Sequence, residues 1–361
     1  MIISSLTLKD FRCYQKLETN FSNGINFLYG KNASGKTSIV EAIYYLSLAR
    51  SFKTSKDKEL IKSGSNEALI QTKIAYQDSF KNINIMLLDK GKKILINKKQ
   101  IHKISELSKI INVIYFIPKD VLLLKDPPGS RRLFLNIAIA KESNKYLDLY
   151  LRYEKMLHSR NEILKNEIIN EELLEVITNQ IIKISKEIYL FRNDYIKKLN
   201  QVIKKLYKLI TDKDDDIEII YDSFINNYEE YESIAAKKYL LSKEEDIYKK
   251  CTNIGVHKED FHILLNSKNV AKYGSQGENR LIVLTLKLSP YELINVEDKK
   301  PIVILDDVLS ELDETNQKRL IKYLKNMKQV FITSTQKTIL ENDIKYYLVE
   351  NHTIKEGEQA C

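Results

Sequence analysis

The stretch that most constrains this chain is Gly30-Lys31-Asn32-Ala33-Ser34-Gly35-Lys36-Thr37-Ser38. Its first eight residues fit the phosphate-loop pattern G-x-x-x-x-G-K-[ST], in which glycines let backbone N–H groups wrap a polyphosphate at the start of a helix. A strand pattern, Ile25, Phe27 and Leu28, precedes it, and Ile39, Val40, Ile43, Leu46 and Leu48 follow at roughly helical spacing. Strand, glycine loop and buried helix are therefore expected in that order. In such a loop Lys36 reaches the β- and γ-phosphates and the Thr37 hydroxyl binds Mg²⁺.

A phosphate loop needs a metal-positioning acid, which in nucleotide hydrolases follows a buried apolar strand whose carboxyl end points at the phosphates. Ile302-Val303-Ile304-Leu305-Asp306-Asp307 supplies it. Asp306 is the candidate for the Mg²⁺ shell, and Asp307 the candidate to polarise or deprotonate the attacking water. A third element, Lys272-Tyr273-Gly274-Ser275-Gln276-Gly277-Glu278, leads into the amphipathic run Leu281 to Leu288. Its Ser275 and Gly277 N–H groups at a helix start form an anion site.

The rest of the chain shows how these elements are distributed. Ile2, Leu6 and Leu8 read as a strand, with Ser22-Asn23-Gly24 as the turn before Ile25, so a hairpin or paired strands are expected. Residues 67 to 101 alternate in the β manner, with a turn at Asp89-Lys90-Gly91-Lys92, and Ile110 to Ile117 is a buried strand ending at Pro118. From Arg131 to about Lys250 there is no Gly or Pro, and apolar residues recur every three or four positions, so this block is expected to be helical. The acidic patch Asp212 to Asp216 and the Tyr228 to Glu232 stretch are expected as solvated loops within it. Past Gly255 the β/α pattern resumes. The expected organisation is an α/β domain, residues 1–128 and 251–361, interrupted by a mostly helical domain, residues 129–250.

With 361 residues and 43% hydrophobic content the chain can bury a sizeable core in two or three domains. No run approaches the ~18 apolar residues of a membrane span, so no membrane partner is expected and the location is expected to be cytoplasmic. Cys13, Cys251 and Cys361 are too far apart for a disulfide framework or a Cys-x-x-Cys metal knuckle, and reduced thiols fit the cytosol. The 58 Lys and Arg against 49 Asp and Glu leave +9, a mild basic excess that admits nucleic acid as a partner.

Taken together, the phosphate loop, the Ser-Gln-Gly-Glu turn and Leu305-Asp306-Asp307-Val308-Leu309-Ser310-Glu311-Leu312-Asp313 resemble the ABC-type ATPase heads of the SMC group, and among them the RecF family. Glu41 to Ser47, Arg50-Ser51-Phe52-Lys53-Thr54, Arg131-Arg132-x-Phe134-Leu135, His158 to Asn161 and Gly255 to Asp260 resemble further family segments, so the likeness covers nearly the whole chain. The resemblance implies an ABC-type P-loop ATPase head with an inserted helical arm, and weak, DNA-stimulated ATP hydrolysis with Mg²⁺. It implies an ATP-dependent homodimer in which Ser275 of one subunit completes the site of the other. The Ser310 to Asp313 segment resembles the loop that links the two sites. Binding would be to single-stranded, duplex or gapped DNA without regard to sequence, nucleoid-associated, with RecR and RecO as partners that help load recombinase. Arg50, Lys53, Lys56, Arg131 and Arg132 flank the loops such a family presents to DNA; Lys90, Lys92 and Lys93 on the hairpin are further candidates.

This sequence departs from the family pattern in four places. Glu278 stands where RecF-like chains usually carry Gln. Pro290 is expected to kink or stop its helix near Lys287 to Ser289. Thr333 or Thr335 occupies the place of the switch histidine of transporter cassettes, whose absence argues against a cassette subunit. Asp120 lies near the expected glutamine loop. A long-armed SMC-like tethering protein is the alternative, but two helices of ~60 residues reach only about 90 Å.

Overall fold

The computed structural model describes residues 1–76, 79–337 and 343–357; Cys361 lies outside them. In chain order the strands and helices are β1 (Ile2–Phe11), β2 (Tyr14–Asn20), β3 (Gly24–Tyr29), α1 (Lys36–Leu48), β4 (Glu67–Ala75), β5 (Phe80–Leu88), β6 (Gly91–Ile96), β7 (Lys99–Ile101), α2 (Ile104–Ser108) and β8 (Val113–Phe116). The middle of the chain forms α3 (Pro128–Glu142), α4 (Asn144–Lys165), α5 (Glu171–Thr211), β9 (Ile217–Asp222), α6 (Tyr231–Leu241), α7 (Lys243–Lys249), β10 (Asp260–Leu265), β11 (Lys268–Asn269) and α8 (Val270–Tyr273). The remainder is α9 (Gln276–Leu293), β12 (Ile302–Asp306), α10 (Glu314–Leu324), β13 (Gln329–Ser334), β14 (Lys345–Glu350) and β15 (Thr353–Glu356).

Two compact units result. The first holds Met1–Val121, Leu206–Lys213 and the chain from Leu281 onward; the second holds Leu122–Lys205 and Asp214–Arg280. In the first, an antiparallel sheet in the order β2-β1-β4-β5-β6-β7 and a second sheet in the order β15-β14-β3-β13-β12-β8 share one core. β14, β3, β13, β12 and β8 run parallel, and only β15 is antiparallel. Buried on both faces, such strands carry continuous apolar runs, as Ile302-Val303-Ile304-Leu305 does. α1 is buried without interruption from Ile39 to Ser47, as its all-round apolar sequence requires.

The turn expected at Ser22 to Gly24 does not join paired strands. β1 and β2 form the hairpin, turning at Arg12 and Cys13, while β3 crosses to the other sheet and pairs with β13 and β14. Only Tyr14 and Leu17 of β2 are buried, too few for a visible alternation. The Gln329 side chain links the two sheets. Its Oε1 accepts from Ile3 N and its Nε2 donates to Ile3 O, each at 2.8 Å, much as a neighbouring strand would.

Helix α5, whose residues up to Lys205 belong to the second unit, is 41 residues long, about 60 Å at 1.5 Å per residue. The mostly helical expectation for 131–250 misses β9, which follows the acidic loop and pairs antiparallel with β10 from Ile217↔Leu265 to Asp222↔Asp260. That pairing holds β10, β11 and α8 in the second unit, so its contacts extend to Arg280 rather than ending near 250. On α5, Asn200 donates to Ile219 O at 2.9 Å and accepts from Ile219 N at 2.8 Å, taking up two backbone groups of β9. Arg192 is the polar centre: it donates to Val256 O (2.6 Å), Glu259 (3.0 Å), Asn136 (3.0 Å) and Tyr146 (3.2 Å). Glu259 also accepts from Tyr221 and Ser223.

His257 is the titratable member of this unit with the clearest consequence. Its Nε2–H donates to Thr252 O at 3.0 Å, so its Nδ1 accepts from the Tyr153 hydroxyl at 2.6 Å, and burial holds its pKa down at about 4. Above pH ~6.5 the ring is neutral in folded and unfolded chains alike. As pH falls from ~6.5 towards 4 the unfolded chain takes a proton that the folded one refuses, so stability drops by up to about 3 kcal/mol. Urea midpoints at pH 7 and 4.5 are expected to show this loss, and His257→Gln is expected to flatten it; an equal drop in the variant would assign the effect to carboxylates.

Candidate nucleotide site

β3 delivers the phosphate loop at the carboxyl end of the parallel sheet, beside β12 and β13. Gly30 has φ 153°, and a Cβ there would lie 2.1 Å from Val349 O; Gly35 has φ 111°, with a Cβ only 2.4 Å from the Tyr14 hydroxyl. Neither position admits a side chain. Ala33 also has positive φ, 62°. The loop closes over Lys36, whose ammonium donates to Gly30 O at 2.7 Å and Lys31 O at 2.8 Å. Burial pushes the Lys36 pKa down, and Asp307 and Asp306 partly offset this.

Asp306 ends β12 at 7% exposure. Its Oδ1 accepts from Thr37 at 3.2 Å and Thr333 at 2.6 Å, and burial pushes its carboxyl pKa up against those bonds and the Lys53 charge. Asp307 follows with φ 51°; its N–H donates to Thr333 Oγ1 at 3.0 Å and its carboxylate accepts from Ser310 at 3.2 Å. These groups line a polar cavity of about 340 Å³, together with Asn32, Ala33, Gly35, Ser38, Lys53 and Thr335. Ser34 Oγ is buried with no hydrogen-bond partner among the described residues.

A divalent cation fits this donor set. A hydroxyl and a carboxylate, Thr37 and Asp306, already meet, and both are hard oxygen donors. Mg²⁺ keeps waters and substrate phosphates as most of its ligands, so two protein oxygens are compatible with it.

The Ser275 turn belongs to the second unit. Ser275 and Glu278 form a capping box: Glu278 N donates to Ser275 Oγ at 3.2 Å and Ser275 N donates to Glu278 Oε2 at 2.8 Å. Gln would serve the same box, so the departure leaves the turn's hydrogen bonding intact. Asn279, which sequence inspection passed over, donates to Gly274 O and Ser275 O at 2.9 Å each and fixes the turn, leaving Ser275, Gln276 and Gly277 exposed. Pro290 does not stop α9, which runs on to Leu293. The buried face from Leu281 through Leu288 to Tyr291 offsets a loss of about 3 kcal/mol from the missing N–H.

The basic candidates separate by surroundings. Arg50, Lys53 and Lys56 are exposed, and Lys53 also lines the cavity beside Asp306. Arg131 must be withdrawn as a DNA contact. Its guanidinium grips Asp260 at 2.7 and 2.8 Å and donates to Leu123 O, Leu124 O and Asp126 O, which leaves it buried within the second unit. Arg132 is half-buried, donating to Glu259 O at 3.0 Å. Lys92 is likewise withdrawn, held by Ala49 O at 2.5 Å, Asp57 at 2.8 Å and the Tyr45 hydroxyl at 3.2 Å; Lys90 and Lys93 stay exposed. Asp120 pairs with Lys287 at 2.5 Å and does not reach the cavity lining.

The family model for the RecF/RecN/SMC N-terminal domain matches residues 2–356. The DNA replication and repair protein RecF of Clostridium tetani is 38% identical over 364 residues, covering 97% of this chain and 98% of that one; RecF of Clostridium botulinum is 39% identical, covering 96% of each. A solved structure of the recombination mediator protein RecF with ATP in the RecFOR pathway superposes with a TM-score of 0.89 at 30% identity, covering 99% of this chain and 97% of that one. An Smc head bound to the winged-helix domain of ScpA shares the fold, with a TM-score of 0.61 at 16% identity over 99% of this chain and 97% of that one. An α/β ATPase head of the SMC type, built around a phosphate loop and matched end to end by these relatives, places the chain in the RecF family of DNA replication and repair proteins.

Proposed function

We propose that this chain is an ATP-hydrolysing DNA clamp of recombinational repair and replication restart: ATP closes two copies on DNA, and slow, DNA-stimulated hydrolysis releases them. The observation that carries this is the pairing of a desolvated ammonium, Lys36, with a desolvated carboxylate, Asp306, in one polar cavity. Each is disfavoured in its charged form by burial, and a triphosphate with its cation would stabilise both charged forms. On ATP binding the Lys36 ammonium exchanges two carbonyls for phosphate oxygens, and N–H groups from Lys31 to Ser38 wrap the chain of phosphates. Thr37 and Asp306 hold Mg²⁺, which when bound neutralises charge on the β- and γ-phosphates.

Asp307 takes the proton from the attacking water. Thr333 donates to the Asp306 carboxylate and accepts from the Asp307 backbone N–H, fixing the first carboxylate and the second acid's main chain. Ser275 and Gly277, exposed at the N-terminus of α9, donate to the triphosphate held by a second copy, and the Ser310 to Asp313 segment links the two sites. Arg50 and Lys56 are the proposed DNA-phosphate contacts, with Lys53 at the cavity and Arg132 subordinate. Contacts of this kind go to phosphates and carry no sequence information, so the proposed binding is independent of sequence. RecR and RecO are the proposed partners, at single-stranded, duplex or gapped DNA in the nucleoid. No helix among the described residues is long and apolar enough to cross a membrane.

Gel filtration of the wild type with ATP and short duplex DNA is expected to give a dimer, and Ser275→Arg to stay monomeric while its ATP affinity holds within about twofold, since the substitution touches only the partner's nucleotide. A Ser275→Arg protein that dimerises like wild type would rule out the shared site.

A further inference from the structure

Six large apolar side chains stand in solvent on the second unit: Ile168 in the loop after α4, Leu173 and Val176 on α5, Leu240 and Leu241 at the end of α6, and Tyr248 on α7, all between 45% and 88% exposed. They are neighbours. Ile163 and Leu164 of α4 and Leu174 of α5 form a small core of their own, with Ile169, Ile177 and Ile247 packed against it, so the loop, α5 and α7 meet there. Ile168, Leu173 and Tyr248 are each next in sequence to a member of that core, yet remain in solvent. Lys243, two residues past Leu241, reaches Glu171 at 3.1 Å and brings the corner between α6 and α7 to the first turn of α5.

One buried guanidinium holds this surface in shape. Arg160 of α4 donates to Thr178 of α5 at 2.9 Å and to Asp246 of α7 at 2.8 Å, and lies over the Tyr239 ring of α6 at 5.2 Å. Each of those three partners is within two residues of an exposed apolar side chain, Val176, Tyr248 and Leu240 in turn. The helices are fixed before anything binds, which lowers the cost of ordering them on association. Single exposed apolar residues need no explanation, but a contiguous and pre-set group marks an interaction site.

The charge around the group selects the occupant. Glu162, Glu171 and Glu245 are matched by Lys165, Lys243 and Lys249. Glu167, Glu172, Glu175 and Glu244 are exposed and make no ion pair among the described residues, and the lysines left without a polar partner on the same segments are Lys237 and Lys250. A chain of net charge +9 therefore turns an acidic rim to solvent here. Carboxylates repel nucleic-acid and lipid phosphates, and two copies meeting through this face would set like charges against each other. A helix with one apolar face flanked by Lys and Arg matches both the apolar group and its rim.

We propose that this acid-rimmed apolar surface of α5, α6 and α7 is a docking site for a basic amphipathic helix of another protein. Leu173, Val176, Leu240, Leu241 and Tyr248 receive its apolar face, and Glu167, Glu172, Glu175 and Glu244 its Lys and Arg side chains. All of these residues belong to the second unit and none lines the phosphate cavity, so docking needs no nucleotide.

The probe is a fluorescein-labelled peptide of about 18 residues, five helical turns, with Leu on one face and Lys on the other. Its counterpart carries Glu in place of every Lys. Anisotropy titrations use the full chain as wild type, as Leu241→Glu/Tyr248→Glu and as Glu172→Lys/Glu175→Lys. The basic peptide is expected to bind wild type at least about tenfold more tightly than the acidic one, and each variant is expected to lose at least about tenfold of that affinity. Melting curves and affinity for a fluorescent ATP analogue should stay at the wild-type level in both. Equal binding of the two peptides, or wild-type affinity in either cooperatively melting variant, overturns the proposal. Should the apolar variant fail to melt cooperatively, the charge-reversed one decides by the same criterion. Wild-type self-association without ATP that Leu241→Glu/Tyr248→Glu abolishes would assign the face to a second copy, and a loss of duplex-DNA affinity in that variant would assign it to nucleic acid; either result also overturns the proposal.

Discussion

Lys36→Ala is expected to weaken ATP binding by at least about two orders of magnitude and to abolish hydrolysis, with the fold unchanged. In the free protein the Lys36 ammonium is held by two carbonyls, and burial disfavours its charge. Phosphate oxygens would replace those carbonyls with charge-assisted bonds, each worth about 1.5–3 kcal/mol, and alanine removes them together. Stability should change little, because the deleted group is a desolvated cation whose charge burial already disfavours. Equilibrium binding of a fluorescent ATP analogue checks the first part and thermal melting the second. Binding within tenfold of wild type would remove Lys36 from the site.

The largest stability effect is expected from Arg192→Met. Arg192 and Glu259 are both buried, and the arginine also satisfies Val256 O, Asn136 and Tyr146. Methionine fills much of the volume but leaves Glu259 without a counter-charge, at a cost of about 3–5 kcal/mol to the second unit. The added substitution Glu259→Leu should restore most of the loss, because the penalty lies in the stranded carboxylate and not in the missing pair. Urea unfolding followed by tyrosine fluorescence measures both. A double variant as unstable as the single one would show that packing around the guanidinium matters more than charge.

These two residues also mark how far the chain could be understood before its fold was known. Lys36 was legible because a phosphate loop packs its information into eight consecutive residues with fixed conformational demands, and Asp306 because an apolar run announces a strand buried on both faces. Arg192 was not, since its partners lie 46 to 67 positions away and no local spacing encodes them. Distance in sequence likewise hid the fate of Arg131, whose carboxylate partner is 129 residues on, and of Lys92, drawn to Asp57. Strand β9 escaped for a different reason. Six residues set between a long helix and a loop give too short a pattern, and only pairing with β10 decides it. The Pro290 stop failed because burial of α9 outweighs a local rule.

The amide of Asn200, bonded to both backbone groups of Ile219, has an implication for self-association. A bare sheet margin is a template on which other polypeptides can add themselves, the first step towards fibres. By taking up the backbone groups of Ile219 from within the same chain, one asparagine removes part of that template.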